Sequence, residues 1–325
     1  MKDLKPYKRE LSLTNLLLID GITRSGKFFL ARLVCGLKNI EHFQAVSTID
    51  AILTLEHLNH ITETAAISML QVIIDNYTYD MRIGRNINLR YDDGSSILNS
   101  YEYNKYLQRA FSDTNYLDLL EDIKKNRRLS PFITHEGLHK ISLMLKAFPD
   151  LNVIHLNRHP VDTIHSWFKK GWGKRYESKD LFTFRVLFEE QGLPFPVPWY
   201  VIRWSEEYVV LSEMERIVKC VSEITYMEKN GYEKLSNDDK TKIFDVYYED
   251  LVNNTHQVVK NIGVFIRHEP SEKMNYIIAR ENCPKSIPLE QREKKFEEIK
   301  NNCSSEIINI LCSLIDNYEE KKILD

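Results

Sequence analysis

The chain alternates between short, wholly apolar runs and longer stretches where apolar residues return every three or four positions. Leu16-Leu17-Leu18-Ile19 is uninterrupted, as a strand buried on both faces requires. Asp20 and Gly21 end it, a short loop through Gly26 follows, and from Lys27 onward Phe29, Leu30, Leu33 and Val34 fall at helical spacing. The same order of apolar run, polar break and helical period recurs at Pro131–Thr134, followed by Leu138, Ile141, Leu145 and Phe148. It recurs again at Leu151–Leu156, where Asn157-Arg158-His159 leads to Pro160, a residue suited to the first position of a helix. Three strand–loop–helix units predict an α/β fold, a three-layer, P-loop-type central parallel sheet flanked by helices. Phe43–Val46 and Ile243–Tyr248 are further strand candidates.

The remaining pattern is helical. Ile49–Ile74 reads as two helices, and Tyr101–Lys125 returns to the same spacing. Trp204, Tyr208, Leu211 and Val218 predict one long amphipathic helix. Leu251–Phe265, Met274–Ile278 and Ile307–Ile315 supply closing helices. Asn76–Ser100, rich in tyrosine, asparagine and charge, reads as a surface excursion that either lines a substrate opening or merely connects. The Trp172–Trp199 segment is a second candidate for shaping an acceptor site. No repeat or linker divides the chain, so residues 1–325 are expected to form one domain, with 1–14 loosely ordered.

Composition removes several classes of function. A net charge of −3 offers no basic field for a nucleic-acid partner. Five scattered cysteines without C-x-x-C spacing suggest neither a disulfide framework nor a zinc site, and favour a reducing, cytoplasmic setting. No apolar run approaches the roughly 20 residues of a membrane span.

Strand, glycine loop and helix in that order cradle a phosphate, because loop N–H groups and the helix N-terminus converge on one anion. Gly21 to Gly26-Lys27 nearly spells the nucleotide loop G-x-x-x-x-G-K-[ST], but Phe28 replaces the hydroxyl that ligates Mg²⁺. The loop therefore suits a phosphate better than a metal. Arg24, Ser25, Gly26 and Lys27 offer cations and donors; Arg158 ends a strand, and Ser166 lies two turns along the next helix. His135, with Glu136 beside it, ends another strand and has the chemistry of a general base. Taken singly, each has an ordinary structural role open to it: a salt bridge with Asp162 for Arg158, an exposed helix serine, a core histidine.

Together these residues resemble the PAPS-dependent sulfotransferases, which move a sulfuryl group from 3′-phosphoadenosine 5′-phosphosulfate (PAPS). The family's loop PKSGTTW is similar to Thr23-Arg24-Ser25-Gly26-Lys27-Phe28-Phe29. Its 3′-phosphate motif R-[ND]-P-x-D-x-x-x-S is similar to Arg158-His159-Pro160-Val161-Asp162-Thr163-Ile164-His165-Ser166. Its T-H pair resembles Thr134-His135, and its Y-E-D-L element stands as Tyr248-Glu249-Asp250-Leu251. The chain departs where Arg24 replaces the loop lysine, where Lys27 and Phe28 replace two threonines, and where Ile133 replaces a lysine. The family's C-terminal R-K-G loop has no clear counterpart beyond Lys285 and Arg292.

The resemblance implies in-line sulfuryl transfer to an acceptor hydroxyl, with His135 as base and Arg24 and Lys27 neutralising charge. It implies donor binding by residues 23–29 with Arg158 and Ser166, Phe29 stacking on adenine, release of 3′-phosphoadenosine 5′-phosphate (PAP), and no metal. The expected partner is a small-molecule or carbohydrate acceptor, with no nucleic acid and no membrane span. Two alternatives stay open on sequence alone: a P-loop kinase using ATP and Mg²⁺, and a catalytically inactive nucleotide-binding relative.

Overall fold

A computed structural model describes residues 15–177 and 183–324, apart from the side chains of Tyr116 and Leu324. The N-terminal stretch expected to be loosely ordered, and residues 178–182 of the Trp172–Trp199 segment, lie outside the described residues.

Five parallel strands form the central sheet: β1 (Leu16–Asp20), β2 (Gln44–Ala45), β3 (Ser130–Ile133), β4 (Asn152–Asn157) and, near the C-terminus, Ile243–Tyr247. Their order is β2-β3-β1-β4-(Ile243–Tyr247), so β1 lies at the centre, between β3 and β4. Chain order reverses at β1: the path goes outward to β2, returns through β3, and then crosses to β4. Ligands bind beyond the carboxyl ends of strands at such a switch point. The predicted α/β class and all five strand positions are observed, with ends shifted by a residue or two.

Period-two alternation in β1 explains why its run is apolar throughout. Leu16 and Leu18 face one core with Phe132 and Val153, whereas Leu17 and Ile19 face the other with Ile133, Ile154 and Leu156. Helices cover both faces. The first core is closed by α2 (Ser47–His57) and α3 (Glu63–Ile83), the second by α1 (Lys27–Val34) and by helices Thr255–Ile266 and Met274–Arg280. A third core packs helix Pro160–Phe168 against Glu213–Glu233 and the C-terminal helix Ser305–Leu324.

Three expectations are corrected. The single helix predicted through Trp204 and Val218 is interrupted at Leu211, because Ser212 and Glu215 form a capping box that starts a new helix at Glu213. The excursion predicted from Asn76 begins only after Gly84, whose positive φ of 73° terminates α3. Leu289–Lys300 is a helix that the pattern did not reveal, because it buries only Ile299.

Candidate active site

The loop between β1 and α1 is held from three directions. Gly21 (φ 144°) and Gly26 (φ 108°) take left-handed backbone, which glycine adopts without a Cβ penalty. A Cβ on Gly26 would stand 2.7 Å from the Tyr248 ring, so the Y-E-D-L element forms the loop's wall. Helix Pro160–Phe168 contributes Trp167, whose indole N–H donates to the Thr23 carbonyl at 2.7 Å. Lys27 is 3% exposed and donates to the carbonyls of Gly21 and Ile22. Burial pushes its ammonium pKa below the usual value, against the opposing pull of Glu136 and Asp20.

Arg24, Arg158 and Ser166 meet at the loop. Arg24 Nε donates to Ser166 Oγ at 3.2 Å, and Arg158 donates to the Arg24 carbonyl at 2.7 Å. The Arg158 guanidinium lies 4.5 Å from the Tyr248 ring centre, leaving its Nε buried without an acceptor. Ser25 Oγ is likewise buried and unpartnered. Helix α1 opens without a side-chain cap and without an acidic residue in its first turn. Unsatisfied donors at a helix N-terminus beside two guanidiniums fit an anionic phosphate or sulfate group. The residues present therefore suit the phosphate groups of a PAPS-like donor.

The salt bridge open to Arg158 is not formed. Asp162 instead receives Arg292 at 2.9 Å and Lys295 at 2.5 Å, and Arg292 also contacts Glu249 at 3.1 Å. Arg292 thus ties the C-terminal helices to the start of Pro160–Phe168. Phe29 turns its edge to Tyr248, while Phe28 faces Phe43 on the opposite side of the loop.

At the end of β3, Glu136 is fully buried in left-handed backbone (φ 59°). It accepts from the Thr23 N–H at 2.7 Å and from the Thr23 hydroxyl, and pairs with Arg185 at 2.7 Å. Burial works against its ionisation, but Arg185, Lys27 and His135 outweigh it and hold the carboxyl down to about 2. Arg185 also donates to Thr23 Oγ1 at 2.7 Å. Sequence reasoning did not find Arg185, which reaches the loop from more than 150 positions away.

His135 points into a cavity of about 490 Å³ that is also lined by Thr23, Phe28, Asp50, Trp172 and Arg185. Its ring is fixed by Asp50 from α2: Nδ1 lies 3.0 Å from Asp50 Oδ2, and the His135 backbone N–H donates to Asp50 Oδ1 at 2.9 Å. A carboxylate oxygen accepts, so the Nδ1 side donates in this contact and Nε2 is the ring nitrogen left to accept. Asp50 was also missed, although an acidic residue in a helix's first turn beside a histidine strand end was the available signal. Both parts of the expected excursion and the Trp172 segment line this cavity, through Asn86, Asn88, Asp93, Trp172 and Phe184. The structure brings Thr23, Phe28 and His135 to one cavity, and Arg158 and Ser166 to Arg24 of the loop.

A parallel sheet with an anion-suited loop at its switch point and a histidine-bearing cavity beside it is an arrangement for group transfer. The chain belongs to the sulfotransferase family, whose sulfotransferase domain matches residues 15–305. No curated protein matches it in direct sequence comparison. Among solved structures it is similar to the sulfotransferase domain from the curacin biosynthetic pathway, with 14% identity, 81% of this chain and 77% of that one covered, and TM-score 0.43. It is similar to sulfotransferase STF1 from Mycobacterium tuberculosis H37Rv, with 12% identity, 88% and 77% covered, and TM-score 0.42. It is also similar to a sulfotransferase from Alicyclobacillus acidocaldarius, with 11% identity, 92% and 95% covered, and TM-score 0.37.

Proposed function

We propose that this sulfotransferase, acting as one domain, takes its sulfuryl group from PAPS and delivers it to an acceptor hydroxyl in the 490 Å³ cavity. The observation that supports the reading is that Thr23 and His135 line one cavity while the next loop residue, Arg24, meets Arg158 and Ser166. A donor lying along the loop thus presents its transferable group to the acceptor. PAPS supplies the activated sulfuryl group; the chain's own residues position it and manage charge.

Arg158 and Ser166 hold the 3′-phosphate, and residues Thr23–Phe29 hold the 5′ end through N–H groups of the α1 terminus. Arg24 neutralises charge on the leaving phosphate. Lys27 shapes the loop through two of its carbonyls and reaches the donor only by releasing them. His135 Nε2 takes the acceptor's proton while Asp50 steadies the resulting imidazolium. Phe28 removes the hydroxyl a Mg²⁺ ion would need, which supports a reading without metal in the transfer. The acceptor is a small molecule or a sugar. Five free cysteines support a reducing, cytoplasmic setting, and among the described residues no helix is long and apolar enough to cross a membrane.

The test is His135→Ala, assayed with labelled PAPS against a panel of hydroxylated small molecules and sugars. Turnover should fall about 10²–10⁴-fold, the usual contribution of a positioned base, while PAP binding persists. Undiminished turnover would remove His135 from the mechanism.

A further inference from the structure

Behind the loop, three buried side chains from three elements converge without satisfying one another. Asp20 ends β1, His155 is its paired neighbour in β4, and Glu228 comes from helix Glu213–Glu233. They are 0%, 4% and 5% exposed, and one ligand atom of each lies within 4.8 Å of the others. His155 Nε2 stands 3.7 Å from Glu228 Oε2, beyond hydrogen-bond reach. Both His155 Nε2 and Glu228 Oε1 are buried with no hydrogen-bond partner. Unpaired polar atoms in a dry interior are costly, and ion pairing of His155 with Glu228 at 3.7 Å leaves both of these atoms without a hydrogen bond.

The surroundings are those of a ligand set. His155 Nδ1 lies 2.9 Å from Asp245 Oδ1, which also receives Asn157 at 2.5 Å and Lys321 at 2.8 Å. A carboxylate on one ring nitrogen orients the other nitrogen toward a metal and raises its basicity. Asp20 is oriented as well, accepting from the Thr134 hydroxyl at 2.8 Å and from the backbone N–H groups of Gly137 and Leu138 at 2.9 and 2.8 Å.

We propose that Asp20, His155 and Glu228 bind one divalent transition-metal ion, Zn²⁺ by the character of a one-nitrogen, two-oxygen donor set. Two carboxylates neutralise the ion's charge, and ligand bonds of about 2.0–2.2 Å draw the cluster inward from its present spacing. None of the ion's three ligands lines the 490 Å³ cavity or is among the residues assigned above to the donor. The ion ties β1, β4 and helix Glu213–Glu233 together beneath the turn that carries His135. The inference stands independently of the donor's identity.

The test uses the full chain, stripped with chelator and titrated with Zn²⁺ by calorimetry, alongside elemental analysis of the protein as purified. One ion per chain should bind and raise the melting temperature. Asp245→Asn, which removes the orienting carboxylate but none of the three ligands, should weaken binding about 10–100-fold, and Glu228→Gln should weaken it further. No uptake by the wild-type chain, or full stoichiometry and affinity in Glu228→Gln, overturns the proposal. Should Glu228→Gln fail to fold, the Co²⁺-loaded wild type decides. Nitrogen and oxygen ligation gives visible ligand-field bands alone, whereas a thiolate charge-transfer band would place the ion at a cysteine and overturn the site.

Discussion

Asp50 grips His135 twice, through Nδ1 at 3.0 Å and through the backbone N–H at 2.9 Å, across 85 positions of sequence. Because both carboxylate oxygens are engaged, the ring cannot rotate without losing a contact. Asp50→Asn keeps the shape but presents an amide to Nδ1 and permits the wrong tautomer. The expected outcome is a fall in kcat of about 10²-fold or more with PAP affinity unchanged. Side chains this accessible contribute only about 1 kcal/mol to stability, so the melting temperature should move little. Steady-state kinetics beside calorimetric titration separates the two effects.

Buried Glu136 and half-buried Arg185 form a pair that braces Thr23. Glu136→Gln leaves the Arg185 charge uncompensated and should cost about 3–5 kcal/mol in chemical denaturation. Replacing both, as Glu136→Gln with Arg185→Met, should recover part of that loss, since removing a charge pair together is far cheaper than breaking it.

The same pair sets an acid limit. The folded pKa of Glu136 is depressed to about 2 from an ordinary 4.5, so its stabilising contribution is present above about 4.5. It is lost as pH falls from there toward about 2. Urea midpoints measured between pH 6 and pH 3 should show a steeper decline in the wild type than in Glu136→Gln.

Two glycines of the loop differ in what surrounds them. A Cβ at Gly21 would collide with the carbonyl of Leu156, a backbone atom of β4, whereas at Gly26 it meets the edge of the Tyr248 ring. A ring can shift; a strand carbonyl cannot. Gly21→Ala should therefore lose more stability than Gly26→Ala, each costing at least about 1–3 kcal/mol from left-handed strain alone. Gly26→Ala should instead displace Tyr248 from beneath Arg158 and weaken PAP binding, which titration at matched folded fraction would read.

Much of this architecture was legible in residue order. Unbroken apolar runs at Leu16 and Leu151 announce strands covered on both faces, and Gly21, Gly26 and Pro160 mark the turns between strand and helix. The spacing of Arg158 and Ser166 places both near Arg24 once the helix begins at Pro160. What was not legible comes from distant parts of the chain. Asp50 and Arg185 acquire their meaning only when α2 and the segment after Trp172 fold over the strand ends, and no local period encodes that. The interruption at Leu211 was hidden because its apolar residues keep helical spacing across a capping box. Leu289–Lys300 was hidden for the opposite reason: its one buried side chain leaves no stripe to read.

The proposed function requires the loop and the Arg158–Ser166 pair to hold a 3′-phosphorylated adenosine donor. Calorimetric titration of the wild type and of Arg158→Ala with PAP, and separately with ATP·Mg²⁺, tests it most directly. PAP should bind better than ATP·Mg²⁺, and Arg158→Ala should lose about 1.5–3 kcal/mol of PAP binding, roughly 10- to 150-fold. Tighter binding of ATP·Mg²⁺, or PAP affinity indifferent to Arg158, would contradict the proposed function.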